Sequence, residues 1–126
     1  MMKKVLNWFE IPATDFDRAV SFYRRIFNVE LWINDAAGAA GYRMAIFPTA
    51  DGVTTGAIVA GGFFKPGSDG AVLYLSAGDD LSAVLDRVEA AGGRVIAPKN
   101  FVSKDAGYTA FFLDTEGNRV GLQSPT

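Results

Sequence analysis

The sequence contains no cysteine and no histidine. Lack of thiols excludes thiolate nucleophiles, disulfide frameworks, iron–sulfur clusters and Cys-type zinc sites. Lack of imidazole removes the commonest general base and the commonest transition-metal ligand. Ser76, Ser82 and Ser103 therefore have no partner for a Ser-His-Asp triad, and no motif supports a Ser-Lys pair. Excess charge of one sign is also missing: 12 Lys plus Arg stand against 14 Asp plus Glu, and no basic run exceeds Lys3-Lys4 or Arg24-Arg25. A nucleic-acid partner is not expected from such a surface. The longest uncharged stretch, Gly52 to Phe64, is too short and too glycine-rich to span a bilayer as a helix, and the N-terminus has no cleavable apolar signal. The expectation is a cytoplasmic protein with no membrane partner.

What the sequence does have is enough apolar material for one core. Its 126 residues are 49% hydrophobic, and a chain of this size hides roughly two thirds of the surface that its unfolded form exposes. It reads as a single domain, 1–126, made of two internal modules, 1–65 and 66–126. A gap-free shift of 65 residues sets Asp15-Phe16 on Asp80-Leu81, Ala45-Ile46-Phe47 on Ala110-Phe111-Phe112, and Asp51-Gly52 on Glu116-Gly117.

Each module carries one amphipathic helix. In the first, Phe16, Ala19, Val20, Tyr23, Ile26 and Phe27 recur at helical spacing behind Thr14-x-x-Asp17, which resembles a capping box; in the second, Leu81, Val84, Leu85, Val88 and Ala91 follow Asp79-Asp80 and stop at Gly92-Gly93. Eight β-rich runs surround them, at 5–11, 28–33, 42–47, 54–60, 71–76, 94–101, 108–113 and 119–123. Alternation along the first strand puts Leu6, Trp8 and Glu10 on one face, with Phe9 and Ile11 on the face that meets the helix. The 65-residue shift makes Ala71, Leu73 and Leu75 the counterparts of Leu6, Trp8 and Glu10, and would turn Tyr74 toward the helix.

The run Trp8-Phe9-Glu10-Ile11-Pro12-Ala13-Thr14-Asp15, continuing to Tyr23, resembles the opening of the vicinal oxygen chelate superfamily, which includes glyoxalase I, extradiol dioxygenases and bleomycin-resistance proteins. Leu113-Asp114-Thr115-Glu116-Gly117-Asn118-Arg119-Val120-Gly121-Leu122 resembles its closing turn and last strand. The resemblance implies an α+β fold of two tandem βαβββ modules whose mixed sheets curve into a cup, commonly in a homodimer. It also implies a divalent ion held by side chains from the first, fourth, fifth and eighth strands. Here Trp8, Leu73 and Gly121 fall on three of those positions, and Val53 to Phe64 contains no Asp, Glu, His or Cys. An indole N–H only donates, and Leu and Gly offer no side-chain lone pair, so no metal and no other cofactor is expected. A hard-ion set of Glu10, Asp114 and Glu116 is the alternative, although the last two flank a turn and are expected to face water.

The candidate ligand-binding residues are Trp8, Glu10, Arg43, Lys99, Tyr108 and Gln123. Trp8 offers a stacking face or simple core packing. Glu10 offers an acceptor, an ion pair with Arg43 or Lys99, or, if half-buried, a catalytic acid or base. Arg43 and Tyr108 correspond under the repeat, and Gln123 shares a strand face with Gly121. Gly38 to Gly41 and Gly61-Gly62 read as loop edges of the cavity, and Phe63-Phe64 as an apolar patch suited to dimerisation. Three functional readings follow: metal-independent binding of a small organic ligand, a metal-independent lyase or isomerase using Glu10, and drug sequestration.

Overall fold

The computed structural model describes residues 1–34, 41–53 and 55–126; most of the Gly38 to Gly41 loop lies outside them. The elements are β1 (Phe9–Ala13), α1 (Phe16–Phe27), β2 (Trp32–Asn34), β3 (Arg43–Ile46), β4 (Gly56–Ala60), β5 (Tyr74–Ser76), α2 (Ser82–Leu85), β6 (Arg94–Ser103), β7 (Gly107–Leu113) and β8 (Arg119–Ser124). They form two four-stranded sheets, ordered β1-β4-β3-β2 and β5-β8-β7-β6. In each, the first strand runs parallel to the fourth while the remaining pairs are antiparallel.

Helix α1 forms where its stripe predicts. Phe16, Ala19, Phe22, Tyr23 and Ile26 are buried, and full burial of each large apolar side chain contributes about 1.5–3 kcal/mol. Its N-cap is Asp15, whose carboxylate accepts the Arg18 amide at 3.1 Å, so the Thr14-x-x-Asp17 box does not form. The backbone amides of Thr14 and Asp15 instead donate to Glu116, at 2.9 and 2.8 Å. At the other end Asn28 takes a left-handed conformation and its amide donates to the Arg24 carbonyl, a frequent helix stop.

The regular part of α2 is shorter than its stripe. After Leu85 the chain continues in turns, with Arg87, Val88 and Ala91 amides bonded to the Val84, Leu85 and Val88 carbonyls. These turns still bury Val88. They end where Gly93 fits beneath α1: a Cβ there would lie 2.7 Å from both the Leu113 carbonyl and the Phe22 ring.

The repeat is visible in the topology but not in one constant shift. Phe16 and Leu81, or Ala45 and Ala110, occupy matching buried positions 65 residues apart, whereas Ile11 and Leu75, or Ile58 and Leu122, are 64 apart. From Leu75 to Leu81 the second module takes one residue more than the first does from Ile11 to Phe16, with Gly78 at φ 78° on the way. From Ala110 to Leu122 it takes one residue fewer than the first does from Ala45 to Ile58, and the two changes cancel. Consequently Leu73 packs toward the core while Tyr74 lies on the opposite face beside Phe111 and Gly121. This reverses the sequence assignment of both residues and makes Val72 the counterpart of Trp8.

One core joins the inner faces of both sheets to both helices. Phe22 of α1 meets Phe112 of β7 at 5.7 Å between ring centres, and the buried Tyr23 hydroxyl donates to Asp114 at 2.7 Å. The β7–β8 turn fastens the modules together. Its Glu116 carboxylate, fully buried, accepts from Arg18 Nε at 2.8 Å as well as from the two amides before α1. Asn118 donates to the Pro12 carbonyl at 2.7 Å. Asp114 and Glu116 therefore point inward, contrary to the expectation that they face water.

Candidate functional site

Trp8 precedes β1 and Glu10 lies within it, two residues apart and on the same side; the indole N–H donates to the Glu10 carboxylate at 3.3 Å. Glu10 is exposed. The pair lines a cavity of about 380 Å³ at the seam between β1, residues 65–73 and the start of β8. Lys65, Asp69 and Arg119 are its other charged walls. A larger cavity, about 730 Å³, opens between Phe9, Phe27 and Phe47 on one side and residues 71–76 on the other. Its polar side chains are the hydroxyls of Thr55, Tyr74 and Ser76. Of these two, the 380 Å³ cavity is the one with charged groups to orient a ligand, and a few convergent polar groups in an apolar wall are what distinguish a binding site from a packing defect.

The six sequence candidates divide between the faces. Trp8 and Glu10 come together as expected, and Gln123 stands on the outer face of β8, where its amide donates to the Ala106 carbonyl at 2.7 Å. Arg43, Lys99 and Tyr108 lie toward the helices instead. The Arg43 guanidinium sits 4.3 Å above the Phe16 ring and 3.7 Å from Asp17. Lys99 pairs with Asp80 at 2.8 Å and lies 4.6 Å from the centre of the Tyr108 ring, and Tyr108 packs against the core. Neither cation pairs with Glu10. The pleat explains the displacement: Arg43 and Tyr108 each stand two residues before a core alanine, Ala45 or Ala110, and share its face.

The side-chain hydrogen bond from Lys99 is the main reason that the Asp80 carboxyl is lowered to about 2. Glu116 is pushed up by burial, but bonds from Arg18, the Asp15 amide and Thr115 outweigh this and hold it below the usual range. Burial, then the neighbouring Asp114 carboxylate, pushes the Tyr23 hydroxyl well up. All three shifts belong to the scaffold around the helices.

The divalent ion implied by the resemblance does not fit these residues. Trp8, Val72 and Gly121 carry no donor lone pair, and β4 reads Gly56-Ala57-Ile58-Val59-Ala60. Glu10, Asp114 and Glu116 do not converge, and among the described residues no group of three or more potential ligands is placed to hold an ion. Sequence reasoning missed Arg119, Tyr74 and Phe111 on the outer face of the second sheet. Arg119 was accessible to it, two residues before Gly121 on an alternating strand; Tyr74 was hidden by the repeat slip.

Two mixed sheets with the order first-fourth-third-second, each holding its helix between its first two strands, define a tandem βαβββ protein of the vicinal oxygen chelate type. The chain belongs to the Glyoxalase/Bleomycin resistance protein/Dioxygenase superfamily, whose family model matches residues 5–122. It is 34% identical over 122 residues to CFP32 of Mycobacterium tuberculosis, a glyoxylase by name. That match covers 92% of this chain and 44% of the relative, so the chain spans less than half the length of that protein. Among solved structures, a mutant of maize (Zea mays) glyoxalase I superposes with a TM-score of 0.72 at 20% identity, covering 94% of this chain and 45% of that one. A mutant of the fosfomycin resistance protein FosX from Listeria monocytogenes, complexed with Mn(II) and 1S,2S-dihydroxypropylphosphonic acid, has a TM-score of 0.62 at 16% identity, covering 100% and 93%. These two likenesses establish the fold. Among the described residues, no helix is long and apolar enough to cross a membrane.

Proposed function

We propose that the chain is a metal-independent member of its superfamily that binds a small organic molecule beside Trp8 and Glu10, in the cytoplasm and as a homodimer. The carrying observation is the Trp8–Glu10 pair in the wall of a charged cavity, at a position where metal-dependent relatives are expected to place an ion ligand. Trp8 supplies a flat apolar face and Glu10 an acceptor, which orient a ligand without a Lewis acid. A second copy suits the outer sheet faces, where Trp32 and Tyr74 are 49% and 52% exposed. The lyase or isomerase reading required a half-buried Glu10, and its exposure takes that support away.

Two tryptophans, Trp8 and Trp32, make fluorescence a direct reporter. A thermal-shift screen of small organic metabolites should find a stabilising compound that quenches the wild type and not Trp8→Phe. Exhaustive chelation should leave its affinity unchanged. Affinity that disappears on chelation and returns with one stoichiometric ion would overturn metal independence; a screen without any stabilising compound would overturn the binding role. Light scattering during size-exclusion chromatography tests the dimer.

A further inference from the structure

Arg119 opens β8 on the outer face of the second sheet. A guanidinium has five N–H donors and is charged at any physiological pH. Among the described residues the only hydrogen bond it makes is a long one, 3.3 Å from Nη2 to the Gly70 carbonyl. Its Nε is buried without a partner, and none of the described carboxylates lies within ion-pair distance of it. Every other buried side-chain polar atom among the described residues finds a partner, so this group stands apart.

The same side chain forms the polar wall of a cavity of about 270 Å³ whose remaining walls are Val72, Ile96, Ala97 and Phe111. It also reaches the wall of the Trp8–Glu10 cavity. The smaller space contains no acidic residue. At slightly below the ~300 Å³ of the smallest drug-sized pockets, it suits a fragment of one ring or one branched alkyl group. Phe111 meets the Tyr74 ring edge-on at 5.5 Å, extending the apolar wall.

We propose that Arg119 anchors the carboxylate of a small hydrophobic acid whose ring or alkyl body rests against Phe111, Val72 and Ile96. An apolar wall with one planar, underused cation matches that amphipathic shape: the fork accommodates two carboxylate oxygens and the wall accepts the rest. The proposal names the ligand class for the binding role above and rests on that reading.

Benzoate, phenylacetate, the neutral benzamide and inorganic phosphate are the probes, titrated by calorimetry against wild type, Arg119→Met, Arg119→Lys and Glu89→Gln. Benzoate or phenylacetate should bind, and benzamide and phosphate should bind at least tenfold more weakly. Arg119→Met should lower carboxylate affinity about ten- to hundredfold, the loss expected for charge-assisted hydrogen bonds. Arg119→Lys should fall between, and Glu89→Gln, an exposed charge change away from both cavities, should stay within twofold. Melting curves without ligand identify any variant that fails to fold; should Arg119→Met do so, the Lys variant and the benzoate-to-benzamide ratio decide. Equal affinity for benzoate and benzamide, preference for phosphate, or indifference to the Arg119 substitutions would overturn the proposal. If these probes do not bind while another compound quenches Trp8, the carboxylate inference fails and the binding reading survives. If nothing binds at either cavity, both fail.

Discussion

Glu116 holds more than its place in a turn suggests. With its side chain fully buried, it accepts from Arg18, from the amides of Thr14 and Asp15, and from the Thr115 hydroxyl. Replacing it by Gln substitutes an amide NH₂ for one acceptor and removes the charge that those donors face. The expected loss is about 2–3 kcal/mol, read by urea unfolding at pH 7. Because its folded pKa is held below the unfolded value, its contribution is complete above about pH 5 and is lost as pH falls through the ordinary glutamate value of ~4.3 toward the folded one. The stability gap between wild type and Glu116→Gln should therefore be flat from pH 5 to 7 and narrow below pH 4; a constant gap down to pH 3 would refute the assignment. Asp80 acts in the same direction: the contribution of its Lys99 bond is present above its usual value and fades as pH drops toward about 2.

Among the elements, α1 was legible along its length because an apolar stripe every three to four residues marks a helix face, whereas the stripe of the second module continued into turns beyond Leu85. Strand faces were harder. An alternating pattern fixes two sets of residues but not which set is inward, and the cancelling one-residue changes in the second module made a gap-free alignment pass through a slip. That is why Tyr74 and Leu73 exchanged faces while the element order survived. Arg43 and Tyr108 were placed on the cup by polarity, although Ala45 and Ala110 beside them carried the inward signal. The paired strands give a sharper test through their glycines. A Cβ on Gly56 would come within 2.3 Å of the Phe9 ring, which is already packed against Phe47, whereas one on Gly121 meets the half-exposed Tyr74 ring. Overpacking costs typically 1–3 kcal/mol, so Gly56→Ala should lose about 2 kcal/mol in chemical denaturation. Gly121→Ala should lose well under half of that, because Tyr74 has open space into which to turn.

Over the whole molecule, the cores of the two halves are one core. Phe22 and Tyr23 contact Phe112 and Asp114 across about ninety positions of sequence, so each half lacks partners for its own buried residues. Wild-type unfolding should be a single transition with coincident fluorescence and circular-dichroism midpoints. A fragment comprising residues 1–65 alone should show little stable helix. Two resolved transitions, or a folded fragment, would contradict the shared core.

The knot of bonds around Glu116 and Asn118 has a temporal side. The groups that close the start of α1 and the end of β1 come from residues about a hundred positions later, while a ribosome releases the chain in order. Until the β7–β8 turn leaves the exit tunnel, the Thr14 and Asp15 amides lack their Glu116 partner, and the start of α1 is fastened only when that turn arrives.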